Sequence, residues 1–310
     1  MVVEQQVAPA VIDELVITAG SRTAAAGRLE NEDAVLVLDL PALAGDAGSE
    51  PGYLLAVADG MGGHERGEVA SQLAIETLAS VVRESSETDT AALLKQAFRR
   101  ANEAIFADGH GDGDTGGMGT TLVTAVVRGK YLTIANVGDS RAYLLRSRRI
   151  NQITRDHSLV GEQVARGKLS AEEARESPRR NILMQALGHR PKLDAKMPDI
   201  FELVLLAEDR LLLCSDGFYD VVGDDDFVSV LSSGEPELAA SSLVDVAIER
   251  GTSDNVSAVV VQVEAAKELV AREREAAAVP EGRGSQVVLL VILLGVVLFI
   301  AIVIGASTLL

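Results

Sequence analysis

The chain has 310 residues, enough for one domain of roughly 250 residues or two smaller ones. Aromatic residues make up 3% and tryptophan is absent, so any core is built from Val, Leu, Ile and Ala. A net charge of -18, with Asp and Glu spread along the chain, argues against a nucleic-acid partner, which needs clustered Lys and Arg. The single cysteine, Cys214, excludes an internal disulfide, fits a reducing compartment and reads as a small core residue.

In chain order, "MVVEQQVAPAVIDE" has no basic stretch followed by an apolar run, so no secretory signal is expected. Residues 1–12 read as a tail. Apolar runs rich in Val, Leu, Ile and Thr predict strands over 34–38 and 53–58. Two helices follow. Over 68–82 Ala70, Leu73, Ala74, Leu78 and Val81 recur at helical spacing, and over 89–106 Leu94, Phe98, Ala101 and Ile105 do the same. The loop "DGHGDGDTGG", 108–117, alternates carboxylates but lacks the glutamate that closes an EF-hand, and reads as a surface loop. Strands over 120–127 and 131–137 meet at Gly129 as a hairpin, and another spans 141–145. Residues 157–181, with Gly161, Gly167 and Pro178 among short helical turns, read as an exposed insertion. A strand at 210–214, a helix at 235–249 and a strand at 256–263 complete the body. Strands grouped in runs, with helices between groups, favour an α+β layered fold over a doubly wound parallel sheet.

Several predicted strands begin or end at a carboxylate. "LLAVADG" runs into Asp59 and Gly60, and "LLLCSDG" runs into Asp216 and Gly217. Asp139 stands in "ANVGDSRAY", Asp254 in "TSDNVSAVVV", and Glu32 and Asp33 in "GRLENEDAV". Uncompensated carboxylates at a core edge are costly, so several converging there need a cation. Oxygen ligands select Mg²⁺ or Mn²⁺ over zinc. Glycine after aspartate lets backbone approach an ion, and the Gly60 carbonyl is a candidate ligand. Each motif alone is an ordinary turn.

Together, "RLENED" (28–33), "ADGMGGH" (58–64), "GMGTTL" (117–122), "VGDSRAYL" (137–144), "CSDG" (214–217) and "SDNVSAVVV" (253–261) resemble the type 2C metal-dependent serine/threonine protein phosphatases in their bacterial form. "LSAEEARESPRRNILMQALG" resembles the flap segment of that family. The resemblance covers roughly residues 15–263. It implies a four-layer α-β-β-α sandwich of two antiparallel sheets flanked by helices, within a catalytic domain over 13–265. It implies a binuclear Mn²⁺ or Mg²⁺ centre that activates a water for attack on phosphoserine or phosphothreonine, the protein substrates being the partners of a monomeric domain. Residue by residue it assigns metal contacts to Asp59, Gly60, Asp216, Asp254 and Asp33, and a third, weaker ion to Asp139 with Asp216. Arg28 matches the residue that grips the phosphate. Arg22 is its rival, and Arg28 is preferred because it keeps the R-x-x-N-E-D spacing. Glu32 is expected to orient waters or a neighbour. His64, five residues from Asp59, is the candidate general acid.

Beyond the body, residues 266–286 change from a charged helical pattern to Pro280, Gly282 and Gly284 and read as a tether. From Val287 to Leu310 there are 24 residues without a charge, about 36 Å of helix against a hydrocarbon core of about 30 Å. The expectation is a single-pass C-terminal membrane anchor. With no secretory signal, the catalytic domain is expected on the cytoplasmic side.

Overall fold

The computed structural model describes residues 15–41, 52–62, 66–109, 117–219 and 221–266. The chain divides into two units, Met1–Ala265 and Ala266–Leu310, and every element below lies in the first. One antiparallel sheet runs β2 (Asp33–Leu40), β3 (Gly52–Met61), β5 (Leu122–Arg128), β6 (Tyr131–Val137) and β9 (Asp199–Val204), with the short β4 (Gly119–Thr120) on the end of β3. The other runs β1 (Leu15–Ala24), β11 (Val256–Ala265), β10 (Arg210–Cys214), β7 (Arg141–Arg146) and β8 (Arg149–Gln152). Gly129, at φ +53°, turns β5 into β6 as the hairpin expectation requires.

Side chains alternate across a strand, so each central strand feeds two cores. In β3, Leu55 and Val57 pack between the sheets, while Leu54, Ala56 and Ala58 face α1 (Arg66–Glu84) and α2 (Thr90–Gly109). In β11, Val259, Val261 and Val263 point between the sheets, and Val256, Ala258 and Val260 face α5 (Asp224–Leu231) and α6 (Pro236–Glu249). Burial on both faces is why these strands read as unbroken apolar runs. The result is the expected α-β-β-α stack. Asp89 begins α2 by accepting from the amides of Ala91 (2.9 Å) and Ala92 (3.2 Å), an N-cap arrangement. The buried stripe of α1 is Ala70, Ala74, Ile75, Leu78 and Val82; Leu73 and Val81, expected in it, are partly buried at its edge.

Three strands escaped the sequence pattern: β1, β8 and β9. In β1 the apolar alternation breaks at "AGSR" because a Cβ on Gly20 would meet the Glu237 amide nitrogen at 2.3 Å, where the start of α6 crosses it. The insertion at 157–181 contains α3 (Leu159–Ala165) and α4 (Ala171–Arg175), capped by Ser158 and Ser170. It is not wholly exposed: His157, Ser158 and Val160 are buried at its root.

Candidate metal centre and active site

Antiparallel pairing brings the carboxylate-bearing strand ends to one end of the sandwich. Asp33 and Asp59 face each other directly in the β2–β3 register, at the start of one strand and near the end of the next. Like charges in that position repel. At the same end Asp139 precedes β7, Asp216 follows β10 and Asp254 precedes β11.

Asp33 is 8% exposed. Its Oδ2 accepts from Ser215 Oγ (2.8 Å) and Ser257 Oγ (2.6 Å), while its buried Oδ1 has no hydrogen-bond partner among the described residues. Burial pushes its carboxyl up to about 7, opposed by the two hydroxyls and reinforced by Asp216 and Asp254. Asp59 is half-buried. Its amide donates to Thr121 Oγ1 (3.1 Å), and its carbonyl accepts from Thr120 Oγ1 (2.8 Å) and the Thr121 amide (2.9 Å). Burial, then Asp216, Asp33, Asp139 and Asp254, hold its carboxyl well above the usual range. Asp139 is 8% exposed and is raised to about 8 by burial, Asp216 and Asp156, with Arg141 opposing.

The glycines answer to crowding. A Cβ on Gly60 would lie 2.1 Å from the Gly67 carbonyl oxygen, and one on Gly217 2.1 Å from that of Asn255. Gly138, at φ +108°, takes a conformation open to glycine and lies against Thr121. Arg28 Nη2 donates to Asp254 Oδ2 at 2.7 Å. Arg22 lies exposed in β1 opposite Ala258. Glu32 accepts from the Gly67 amide at the start of α1, and burial raises its carboxyl against the pull of Arg28.

Some supporting residues were not singled out in the sequence, although two of them, Asn255 and Arg141, stand inside the quoted motifs. Asn255 staples the 25–32 loop to β11: its Oδ1 accepts from the Glu32 amide (2.9 Å), and its Nδ2 donates to the carbonyls of Ala25 (3.1 Å) and Glu30 (2.8 Å). Arg141 forms a fork on Asp156, with Nε to Oδ1 at 2.9 Å and Nη2 to Oδ2 at 2.6 Å, and lies 3.5 Å over the Tyr219 ring. The Tyr219 hydroxyl donates to the Asp139 carbonyl. The signal available was a polar side chain within two residues of Asp139 and of Asp254, next to strands that are otherwise apolar.

Cys214 is buried and its thiol is pushed up to about 12 by burial, in keeping with a core residue. His64 lies outside the described residues, as do the tail 1–12, most of the 108–117 loop, and residues 267–310, which hold nearly all of the expected tether and the whole expected anchor. No helix among the described residues is long and apolar enough to cross a membrane.

Among the described residues, no three acidic, imidazole or thiol groups are drawn together tightly enough to hold an ion as they stand. The carboxylates instead raise one another's pKa. An all-oxygen donor set, the unpartnered Asp33 Oδ1 and this mutual repulsion fit a hard divalent cation.

Residues 31–244 match the family described as protein phosphatase 2C. The chain is 42% identical over 211 residues to the serine/threonine protein phosphatase PstP of Mycobacterium tuberculosis, covering 68% of this chain and 40% of that one. It is 38% identical over 217 residues to the serine/threonine phosphatase stp of Listeria welshimeri, covering 67% of this chain and 84% of that one. The crystal structure of the PstP catalytic domain in complex with two manganese ions superposes with a TM-score of 0.68 at 38% identity, over 81% of this chain and 99% of that one. The chain therefore belongs to the protein phosphatase 2C family, a family of metal-dependent serine/threonine phosphatases. Its match to the mycobacterial relative spans less than half of that protein's length.

Proposed function

We propose that this chain hydrolyses phosphoserine and phosphothreonine in proteins at a binuclear Mn²⁺ or Mg²⁺ centre. One observation carries the reading: Asp33, Asp59, Asp139, Asp216 and Asp254 gather at one end of the sandwich, with the Arg28 guanidinium on Asp254. Asp59, the Gly60 carbonyl, Asp216 and Asp254 would hold two ions, with Asp33 in direct or water-mediated support. Asp139 and Asp216 would hold a third. When bound, the ions supply Lewis acidity and an activated water. Arg28, 51% exposed at its side chain, is placed to exchange its bond with Asp254 for the phosphoryl oxygens, which its fork suits. Thr120 and Thr121 hold the Asp59 peptide rigid, and Ser215 and Ser257 fix which Asp33 oxygen stays unpartnered. His64 remains the candidate proton donor to the leaving oxygen.

We further propose that residues 287–310 tether the chain to a membrane, on the strength of their uncharged composition, with the domain monomeric and on the cytoplasmic side. The test of the chemistry is a phosphothreonine-peptide assay on the purified full chain. Mn²⁺ restores turnover to the metal-stripped protein and chelator abolishes it; full turnover in excess chelator overturns the reading. For the tether, the chain sediments with membranes and deletion of 287–310 releases it.

A further inference from the structure

The body of this chain is acidic, yet Arg166 to Lys196 carries eight Lys or Arg against four Asp or Glu. Most of the basic side chains elsewhere that hold structure are ion-paired: Arg28 on Asp254, Arg141 on Asp156, Arg146 on Asp209 and Arg250 on Asp226. Arg190 and Lys192 are exposed and take part in no ion pair among the described residues. Both line a cavity of about 160 Å³, together with Asn102, Met184, His189 and Leu193.

The loop that presents them is built, not loose. Asn102, 1% exposed on α2, spends its whole amide on that loop: Oδ1 accepts from the Gly188 amide (3.0 Å), and Nδ2 donates to the Arg190 carbonyl (3.0 Å). Gly188, at φ +85°, has no room for a Cβ, which would meet Ile105 Cγ2 at 2.3 Å. Asp194, the acid at the rim, turns its Oδ1 to the Lys196 amide (2.9 Å). Burial and Arg190 hold the His189 imidazole below its usual range, so the positive charge here comes from Arg190 and Lys192.

The cavity adjoins the reaction centre through a short rigid path. A Cβ on Gly119 would lie 2.7 Å from the His189 ring. Thr120 exchanges both backbone hydrogen bonds with Leu187, at 3.1 and 2.9 Å, and its hydroxyl holds the Asp59 carbonyl. The cavity wall and the Asp59 peptide are thus joined through two residues, Gly119 and Thr120.

We propose that the cavity at Arg190 and Lys192 is a docking subsite for an acidic side chain flanking the phosphoresidue of the protein substrate. The subsite rests on the phosphatase reading above and adds a sequence preference to it. Two cations over partly apolar walls, in a protein of net charge -18, complement a carboxylate. Met184, 44% exposed, and the partly buried Leu193 give its methylene groups a surface.

The test compares two phosphothreonine peptides that differ only in flanking Glu or flanking Ala, using the full chain in detergent with Mn²⁺. We expect the Glu peptide to show a KM lower by about fivefold, an advantage lost at high salt. Arg190→Glu with Lys192→Glu raises the KM of the Glu peptide about tenfold and leaves kcat, the Ala peptide and an aryl phosphate within about twofold; the paired Gln variant falls between. Equal KM for the two peptides, or a charge-reversed variant that keeps the preference, overturns the subsite alone. If an aryl phosphate is hydrolysed and neither peptide is, the phosphoprotein reading falls and the subsite with it. If the variant loses binding to anionic vesicles and the peptides show no preference, the surface is a lipid contact and the subsite is overturned.

Discussion

The two ends of β10 each carry an aspartate, and they are treated in opposite ways. Asp209, just before the strand, is 1% exposed and fully answered: Arg146 grips it with Nε to Oδ1 at 2.8 Å and Nη2 to Oδ2 at 2.5 Å, and the Leu206 amide donates to it at 2.8 Å. Asp216, just after the strand, stands among Asp33, Asp59 and Asp139, and its charge raises the pKa of each. A buried carboxylate that the fold supplies with a cation holds the fold together. A group of carboxylates that raise one another's pKa costs the metal-free fold energy, which the proposed divalent ions would offset.

The same kind of substitution at both ends of β10 should have opposite consequences. Asp216→Asn should lower kcat on the order of a thousandfold. It should leave the melting temperature of the metal-free protein unchanged or higher, because one repelling charge is gone; turnover alongside thermal denaturation checks both signs. Asp209→Asn should do the reverse. Unpairing Arg146, whose side chain is 36% exposed and so keeps some hydration, costs about 1–2 kcal/mol of stability. It should spare kcat per folded molecule, and denaturant unfolding measures it. A destabilised Asp216→Asn that still turns over would reverse the assignment of the two ends.

That contrast was half legible in the chain. Asp59-Gly60 and Asp216-Gly217 announced themselves because an apolar strand running into Asp-Gly is a local pattern, and burial on both faces made β3, β10 and β11 read as continuous runs. Asp209 was invisible as a partner for Arg146, since 63 residues separate them and nothing local marks the pair. Asn255 lay inside a quoted motif, but its hold on Ala25 and Glu30 depends on β1 and β11 being neighbours, a fact of topology. β1 itself was hidden by Gly20, present for the passage of α6 and against strand propensity.

A second, smaller effect follows from proton linkage. Asp33 and Asp139 sit at about 7 and about 8 in the folded chain, above the roughly 4 of an unfolded aspartate. The native state therefore binds more protons than the unfolded state between those limits, and stability falls as pH rises through the window. The metal-free melting temperature should drop by several degrees from pH 5 to pH 8. Mn²⁺ should raise it more at pH 8, where the carboxylates are ionised, than at pH 5. A melting temperature that climbs over this range in chelator would mean that the carboxylates find compensation within the protein, as Asp209 does.

The aspartates of the acidic end also differ among themselves. Asp139 is braced through an aromatic side chain, where Asp33 and Asp59 are braced by serine and threonine: the Tyr219 hydroxyl donates to the Asp139 carbonyl, and the Tyr219 ring lies under the Arg141 guanidinium at 3.5 Å. Tyr219→Phe removes the hydroxyl and keeps the ring, so the cation–π contact and the Arg141–Asp156 fork survive. Loss of one hydrogen bond costs about 1 kcal/mol, which should appear as a modest drop in denaturation midpoint. If Asp139 holds the weaker, third ion, the variant should need about threefold more Mn²⁺ for half-maximal turnover, with kcat at saturating metal nearly unchanged. An unchanged metal requirement would place Asp139 with Asp209, as a carboxylate whose work is structural.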